Sequence, residues 1–174
     1  MYLKYLMMAK TTQLIFELLD TEKDRLFQYA SYRLHNISDV EDALQNMYVK
    51  ILENPGRFDS VVNRRAYLYR ILTNECTDQL RRKANVDPLP HDSMATLDIV
   101  SLQPENFDEE FEMVNRLLGI LPAEQSEAIR LRHHSNLSFR EIADIMDVPL
   151  PTAQARYRYG IEKIRYSLKK LNLL

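Results

Sequence analysis

The sequence predicts an all-α protein made of two small helical domains joined by an acidic, proline-containing linker, with a helix-turn-helix in the second domain. Three observations predict it. Only three of the 174 residues are glycine, so glycine-dependent sheet turns are scarce, and no Gly-x-Gly-x-x-Gly or P-loop pattern occurs. Apolar residues recur at three- and four-residue spacing through most of the chain. The net charge of −2 conceals a strong pattern. Seven basic and three acidic residues lie between Arg57 and Lys83, and six basic and one acidic between Leu150 and Leu174. Ala84 to Glu127 holds ten acidic residues and one basic, Arg116. Two basic segments with an acidic one between them suggest two nucleic-acid contacts and a bridge.

Hydrophobic residues make up 45% of the chain, enough for a packed core and against global disorder. The single cysteine, Cys76, cannot form an internal disulfide and falls in an apolar helical pattern, which makes it a core residue of a reducing compartment. The opening MYLKYLMMAK is too short and too interrupted for a spanning helix or a cleavable signal. The expectation is a soluble cytoplasmic protein with no membrane insertion.

From the N-terminus, Leu14, Leu18, Leu26, Tyr29, Ala30 and Leu34 form an apolar stripe that predicts one or two helices over residues 12–34, with a break near Asp20 and Thr21. Ser38 and Glu41 are spaced as a capping box for a helix over 38–53. Asp39, Glu41 and Asp42 lie in its first turn, where carboxylates favour the positive end of the helix dipole. Val40, Ala43, Leu44, Met47, Ile51 and Leu52 supply its apolar face. Asp39, Asp42, Gln45, Asn46 and Lys50 fall on the other side, either a solvated face or an acidic docking surface. Asn54-Pro55-Gly56 breaks the helix and residues 57–63 read as a loop. A further helix spans 64–83. Tyr67, Arg70, Asn74, Asp78 and Arg81 share one of its faces, and an aromatic and an amide among arginines can touch bases as well as phosphates. The run Arg81-Arg82-Lys83 also suits the negative end of a helix dipole.

Residues 85–106 hold Pro88, Pro90 and Pro104 without sustained periodicity, which marks the linker between a first domain over 1–84 and a second over 107–174. Helical spacing resumes from Phe107 to Gly119. Leu121-Pro122 opens another helix, ending near His134. Ser138 and Glu141 repeat the capping-box spacing, and Ile142, Ala143, Ile145 and Met146 form an apolar face. Asp147-Val148-Pro149 ends that helix, and Pro151 suits the first turn of the next. From Thr152 the second helix carries Gln154, Arg156, Arg158 and Lys163. A short helix, a turn of three or four residues and a longer polar helix match the helix-turn-helix plan, in which the second helix lies in the DNA major groove. A plain helical hairpin with a solvated face has the same spacing. His133 and His134 are adjacent and diverge on a helix, so no metal site is read, and no nucleophilic grouping, cofactor motif or catalytic residue stands out.

Together these segments resemble the small bacterial sigma factors of the extracytoplasmic-function group, over about Lys23–Lys83 and Phe111–Leu171. Asp39-Val40-Glu41-Asp42-Ala43-Leu44-Gln45 is similar to the family's acidic signature. Phe58, the run Ala66-Tyr67-Leu68-Tyr69-Arg70-Ile71, Asn74, Asp78, Arg81 and Arg82 resemble its promoter −10 segment. Leu121-Pro122, Ser138, Glu141-Ile142-Ala143 and Pro149 to Arg156 resemble its −35 reader.

The resemblance implies a transcription-initiation subunit without catalysis of its own. Asp39, Glu41, Asp42, Gln45 and Asn46 would dock on core RNA polymerase. Phe58, Arg64, Arg65, Tyr67, Arg70, Asn74, Asp78, Arg81 and Arg82 would hold the melted −10 element, with an unstacked base in a loop pocket. Ser138, Arg140, Thr152, Gln154, Arg156, Arg158, Tyr159 and Lys163 would read −35. Promoter DNA and an anti-sigma factor are the other implied partners. The acidic linker would cross the polymerase cleft. The chain departs from the family in four places, one being Pro151 where a glycine often precedes the threonine. Tyr67 stands for the usual tryptophan. Thr152-Ala153-Gln154-Ala155-Arg156 replaces Thr-Val-Lys-Ser-Arg. Tyr159 takes the place of a later arginine, so fewer phosphate contacts remain. A free-standing operator-binding regulator, and a sigma-like protein that no longer reads −35, are the competing readings.

Overall fold

The computed structural model describes residues 2–86 and 109–170, with side chains described for residues 10–83 and 111–170. The expected linker over 85–106 lies almost wholly outside the described residues. Among the described residues there are eight helices and no strand: α1 (Tyr2–Leu34), α2 (Ile37–Glu53), α3 (Pro55–Ser60), α4 (Arg64–Val86), α5 (Glu109–Gly119), α6 (Ala123–His133), α7 (Phe139–Met146) and α8 (Leu150–Lys170). No described helix is long and apolar enough to cross a membrane.

α1 is a single helix. The expected break at Asp20-Thr21 is absent, and the Thr21 hydroxyl donates back to the Glu17 carbonyl at 2.8 Å, a bond a helix accommodates. The buried stripe also differs from expectation. Ile15 and Leu19 reach the core, whereas Leu14 and Leu18 are half-buried.

α2 starts two residues earlier than the Ser38 box implies. His35 turns the chain in the left-handed region at φ 57°, and Asn36 becomes the cap, its side chain accepting from the Asp39 N–H at 3.2 Å. Asn is as good a cap as Ser, and it sits where α1 must reverse. Leu52, placed on the apolar face of this helix by spacing, is instead exposed, and so is Leu80 of the helix over 64–86. Residues 55–60 form the short helix α3, with Pro55 in its first turn, where the expectation was a loop. Its purpose is packing, since Phe58 is fully buried.

α1, α2 and α4 pack mutually, with α3 lodged against them. In the second half α6 and α7 both pack on α8. Gly160 of α8 allows the close approach to α6, because a Cβ there would stand 2.8 Å from Ile129 Cδ1. The two halves touch along α4–α7 and α1–α6. Ala128, Leu131, Leu137 and Ile142 belong to the same apolar cluster as Leu26, Met47 and Leu72.

Candidate nucleic-acid interface

The helix-turn-helix stands as the spacing predicts. Ser138 Oγ accepts from the Glu141 N–H at 3.3 Å, and Glu141 Oε2 accepts from the Ser138 N–H at 2.7 Å, which closes the capping box of α7. The helix ends at Asp147, which takes the left-handed conformation (φ 52°), and its N–H donates to the Ala143 carbonyl. A left-handed residue just past the last turn is a common helix stop. Three residues, Asp147 to Pro149, separate α7 from α8.

Ala153 and Gly160 face inward from α8. Gln154 and Arg158, one turn apart, are exposed, and so are Tyr159 and Lys163, also one turn apart. The Arg158 guanidinium lies 5.0 Å from the Tyr159 ring centroid. Ser138 and Arg140 are exposed at the start of α7, and Thr152 is half-buried. Arg156 departs from this set. It lines a cleft of about 670 Å³ between the halves, together with Arg33 and Arg130.

On α4 the stripe is real but partly committed. Asn74, Arg81 and Arg82 are exposed, and Tyr67 and Asp78 are half-buried. Arg64 pairs with Asp59 at 3.0 Å and lies 5.7 Å from the Phe58 centroid. Phe58 was expected to meet DNA. With no exposed surface it cannot stack on a base in this packing; its ring instead backs Tyr67, with centroids 6.4 Å apart. Arg65 pairs with Glu22 at 2.9 Å and donates to the Ser135 and Asn136 carbonyls. Arg70 donates to the Asp144 carbonyl.

Glu41, Asp42, Gln45 and Asn46 of α2 are exposed on one side. Asp39 differs from the expectation of an outward face. Its carboxylate accepts from Lys83 of α4, and its side chain is 19% exposed. Lys50, also placed on the outer face, bonds Glu75, a residue buried in α4.

Sequence reasoning missed several residues. Asn63 caps α4 by accepting from the Ala66 N–H at 2.9 Å, and its amide donates to Glu141 Oε1 at 3.3 Å. A cap at Asn63 was legible from the residue type before a helix. Glu22, Arg33, Glu127 and Arg130 gave no local signal, because their partners lie in distant parts of the chain.

His134 stacks on Tyr32 with centroids 3.7 Å apart. Burial, then the neighbouring His133 and Arg130 charges, hold its pKa down at about 4. Burial lowers His35 and His133 as well. Between that value and the ordinary range near 6.5, the unfolded chain binds a proton that the folded chain refuses. Stability therefore falls as pH drops through this window. The melting midpoint is expected to be roughly 3–6 °C lower at pH 5 than at pH 7.5, and His134→Gln should flatten part of that slope. An unchanged midpoint in calorimetry would contradict the buried, neutral assignment.

Among the described residues no grouping of His, Cys, Asp and Glu has metal-site geometry. Burial pushes the Cys76 thiol up to about 12, which makes it unreactive.

Comparison with known proteins adds to this geometry. Residues 18–86 match the family model described as Sigma-70 region 2, and residues 117–166 match Sigma-70, region 4. The chain is 32% identical over 145 residues to the ECF RNA polymerase sigma-E factor of Salmonella typhimurium, covering 76% of this chain and 75% of that protein. It is 28% identical over 170 residues to the ECF RNA polymerase sigma factor SigW of Bacillus subtilis, covering 89% of each. Among solved structures it resembles the sigma factor RpoE, in complex with the anti-sigma factor NepR, from Bartonella quintana. There the TM-score is 0.67 at 25% identity, over 91% of this chain and 96% of that one. It also shares the fold of CnrH, solved in complex with the cytosolic domain of CnrY, with a TM-score of 0.70 at 21% identity, over 95% of this chain and 96% of that one.

Proposed function

This chain belongs to the sigma-70 family, as an extracytoplasmic-function sigma factor of transcription initiation, and from that premise we propose how its surfaces divide the work. One observation carries the proposal: a single chain presents an exposed acidic and polar face on α2, a basic, amide-bearing stripe on α4 and two exposed recognition stripes on α8.

Glu41, Asp42, Gln45 and Asn46 dock on core RNA polymerase. Asp39 supports this face from the side, through Lys83. The −10 strand lies along α4, with Tyr67 stacking on a base and Asn74, Arg81 and Arg82 contacting base edges and phosphates. Base–aromatic stacking contributes about 1–3 kcal/mol per base, enough to offset the roughly 1–2 kcal/mol lost per opened base step. Phe58 acts from beneath, by holding Tyr67 and Arg64 in place. Gln154, Arg158, Tyr159 and Lys163 read the −35 duplex, with Ser138 and Arg140 on the adjoining phosphates. The chain divides at the linker into the two domains that carry these tasks. It works in the cytoplasm and binds an anti-sigma protein, as its structural relative RpoE is found in complex with NepR, and it carries no catalytic group of its own.

Run-off transcription with purified core polymerase on mapped promoters tests the division. Tyr67→Ala is expected to reduce product about tenfold or more on duplex promoters and much less on templates with a pre-melted −10 region. Arg158→Ala is expected to lose about 1–3 kcal/mol of promoter affinity, most at one −35 position. Equal activity of Tyr67→Ala on both templates would remove the stacking role.

A further inference from the structure

We propose that the cleft lined by Arg33, Arg130 and Arg156 binds a small phosphorylated molecule of nucleotide size. The arginines take the phosphates, and an apolar wall takes the flat organic part. The site is separate from the surfaces assigned above to polymerase and DNA, and the case for it does not depend on them.

The cleft encloses about 670 Å³, inside the roughly 300–1,000 Å³ range of small-molecule sites, which occur preferentially where two domains meet. Three helices bring the arginines to it: Arg33 from α1, Arg130 from α6 and Arg156 from α8. Leu80, Met146 and Val148 supply the apolar wall. Leu80 is 41% exposed although it lies on a packed helix, and a ring laid on this wall would cover it.

The charge in the cleft is unbalanced. Of the two carboxylates lining it, Glu127 is 7% exposed and serves two guanidiniums. It accepts from Arg33, with Arg130 Nη1 at 4.0 Å, and accepts from the Tyr29 hydroxyl as well. The other carboxylate, Glu124, is exposed to water in the first turn of α6. Three cations thus face one buried and one solvated carboxylate. Burial, then the Arg33 charge, hold the Arg130 guanidinium down at about 10. A further anion close by would favour its charged form.

Free donors complete the site. Arg156 is half-buried and makes no hydrogen bond, ion pair or ring contact among the described residues. Arg33 Nε is buried with no hydrogen-bond partner among them. A guanidinium offers five N–H donors in a planar fork, which matches two phosphate oxygens at once in charge-assisted bonds. A concave site with an apolar wall suits a free nucleotide better than a duplex, whose phosphates stand on a convex surface.

The test is calorimetric titration of the full chain with ATP in magnesium-free buffer at about 0.1 M salt, where surface attraction is largely screened. Inorganic pyrophosphate and a randomised single-stranded 20-mer serve as competitors. One ATP is expected per chain, and Arg156→Gln and Leu80→Asp should each weaken it at least about tenfold. Lys170→Gln removes the same charge from an exposed position on α8 and should leave affinity within about twofold. Pyrophosphate should compete, but at least about tenfold more weakly than ATP, because it lacks the part that covers the wall. ATP at 100 times its Kd should raise the melting midpoint by about 5–10 °C. Arg156→Gln should leave the unliganded midpoint within about 2 °C, so a loss of binding is not a loss of fold.

Absence of saturable binding by both ATP and pyrophosphate would overturn the site. Equal weakening by Lys170→Gln and Arg156→Gln would reduce it to unspecific charge attraction and overturn it too. Pyrophosphate binding as tightly as ATP would remove the apolar wall from the proposal. Displacement of ATP by the 20-mer at lower concentration than by pyrophosphate would give the arginines to nucleic acid and overturn the small-molecule assignment.

Discussion

Reversing Glu41 and Asp42 to lysine together is expected to weaken binding to core RNA polymerase by about 100-fold. Both side chains are exposed on α2, on the face that also presents Gln45 and Asn46. Charge pairs across an interface contribute about 1.5–7 kcal/mol where they are close, and reversal replaces attraction with repulsion. A loss of about 3 kcal/mol corresponds to roughly 100-fold. The cost to folding is small, since exposed substitutions stay within about 0.5 kcal/mol and the helix-dipole contribution is of similar size. Asp39 is the wrong residue to include. Its carboxylate meets Lys83, so Asp39→Lys would set two lysines against each other and confuse docking with packing of α2 on α4. A fluorescence titration against core polymerase, beside a melting curve, checks the expectation. Unchanged affinity in the double variant would place the docking surface elsewhere.

The largest effect on stability is expected from Leu131→Ala. Leu131 is fully buried in α6, within the cluster that joins apolar residues of both halves. Truncating a buried leucine costs about 2–5 kcal/mol, because transfer energy is lost and a cavity is left. For a chain of this size the midpoint should fall by roughly 4–20 °C. Because the cluster is shared, α1 to α4 should feel the loss as well as α5 to α8. Calorimetry on wild type and variant would show one broad loss. A shift confined to a separate second transition would mean that the halves unfold independently.

Much of the fold was legible because its signals are local. Ser138, Glu141, the apolar run behind them and Pro149 lie within one short stretch, and the structure reproduces that cap, helix and turn. The helix of α2 was legible too, but its start was not, because Asn36 and Ser38 are equally good caps and only the left-handed turn at His35 chooses between them. α3 escaped notice because six residues that open with a proline and a glycine carry no period long enough to read. Phe58 was assigned to the −10 segment by resemblance, which cannot tell a ring that stacks on a base from a buried one that supports its neighbour.

The interior polar contacts were illegible for a different reason. Glu127 meets Arg33 and Tyr29 across 94 and 98 residues. A carboxylate on a helix reads as solvated until the packing partner is known. The same holds for Arg65 and Arg70, whose type suggested phosphate contacts but whose donors meet carbonyls of α7 and the turn before it.

Transcript mapping on fragmented genomic DNA with core polymerase alone, the chain alone and the two together tests the central claim most directly. Defined start sites that appear only when both are present, preceded by a shared −10 and −35 pair, are the predicted result. Start sites unaltered by the chain, together with footprints that the chain makes on duplex DNA unaided, would contradict it.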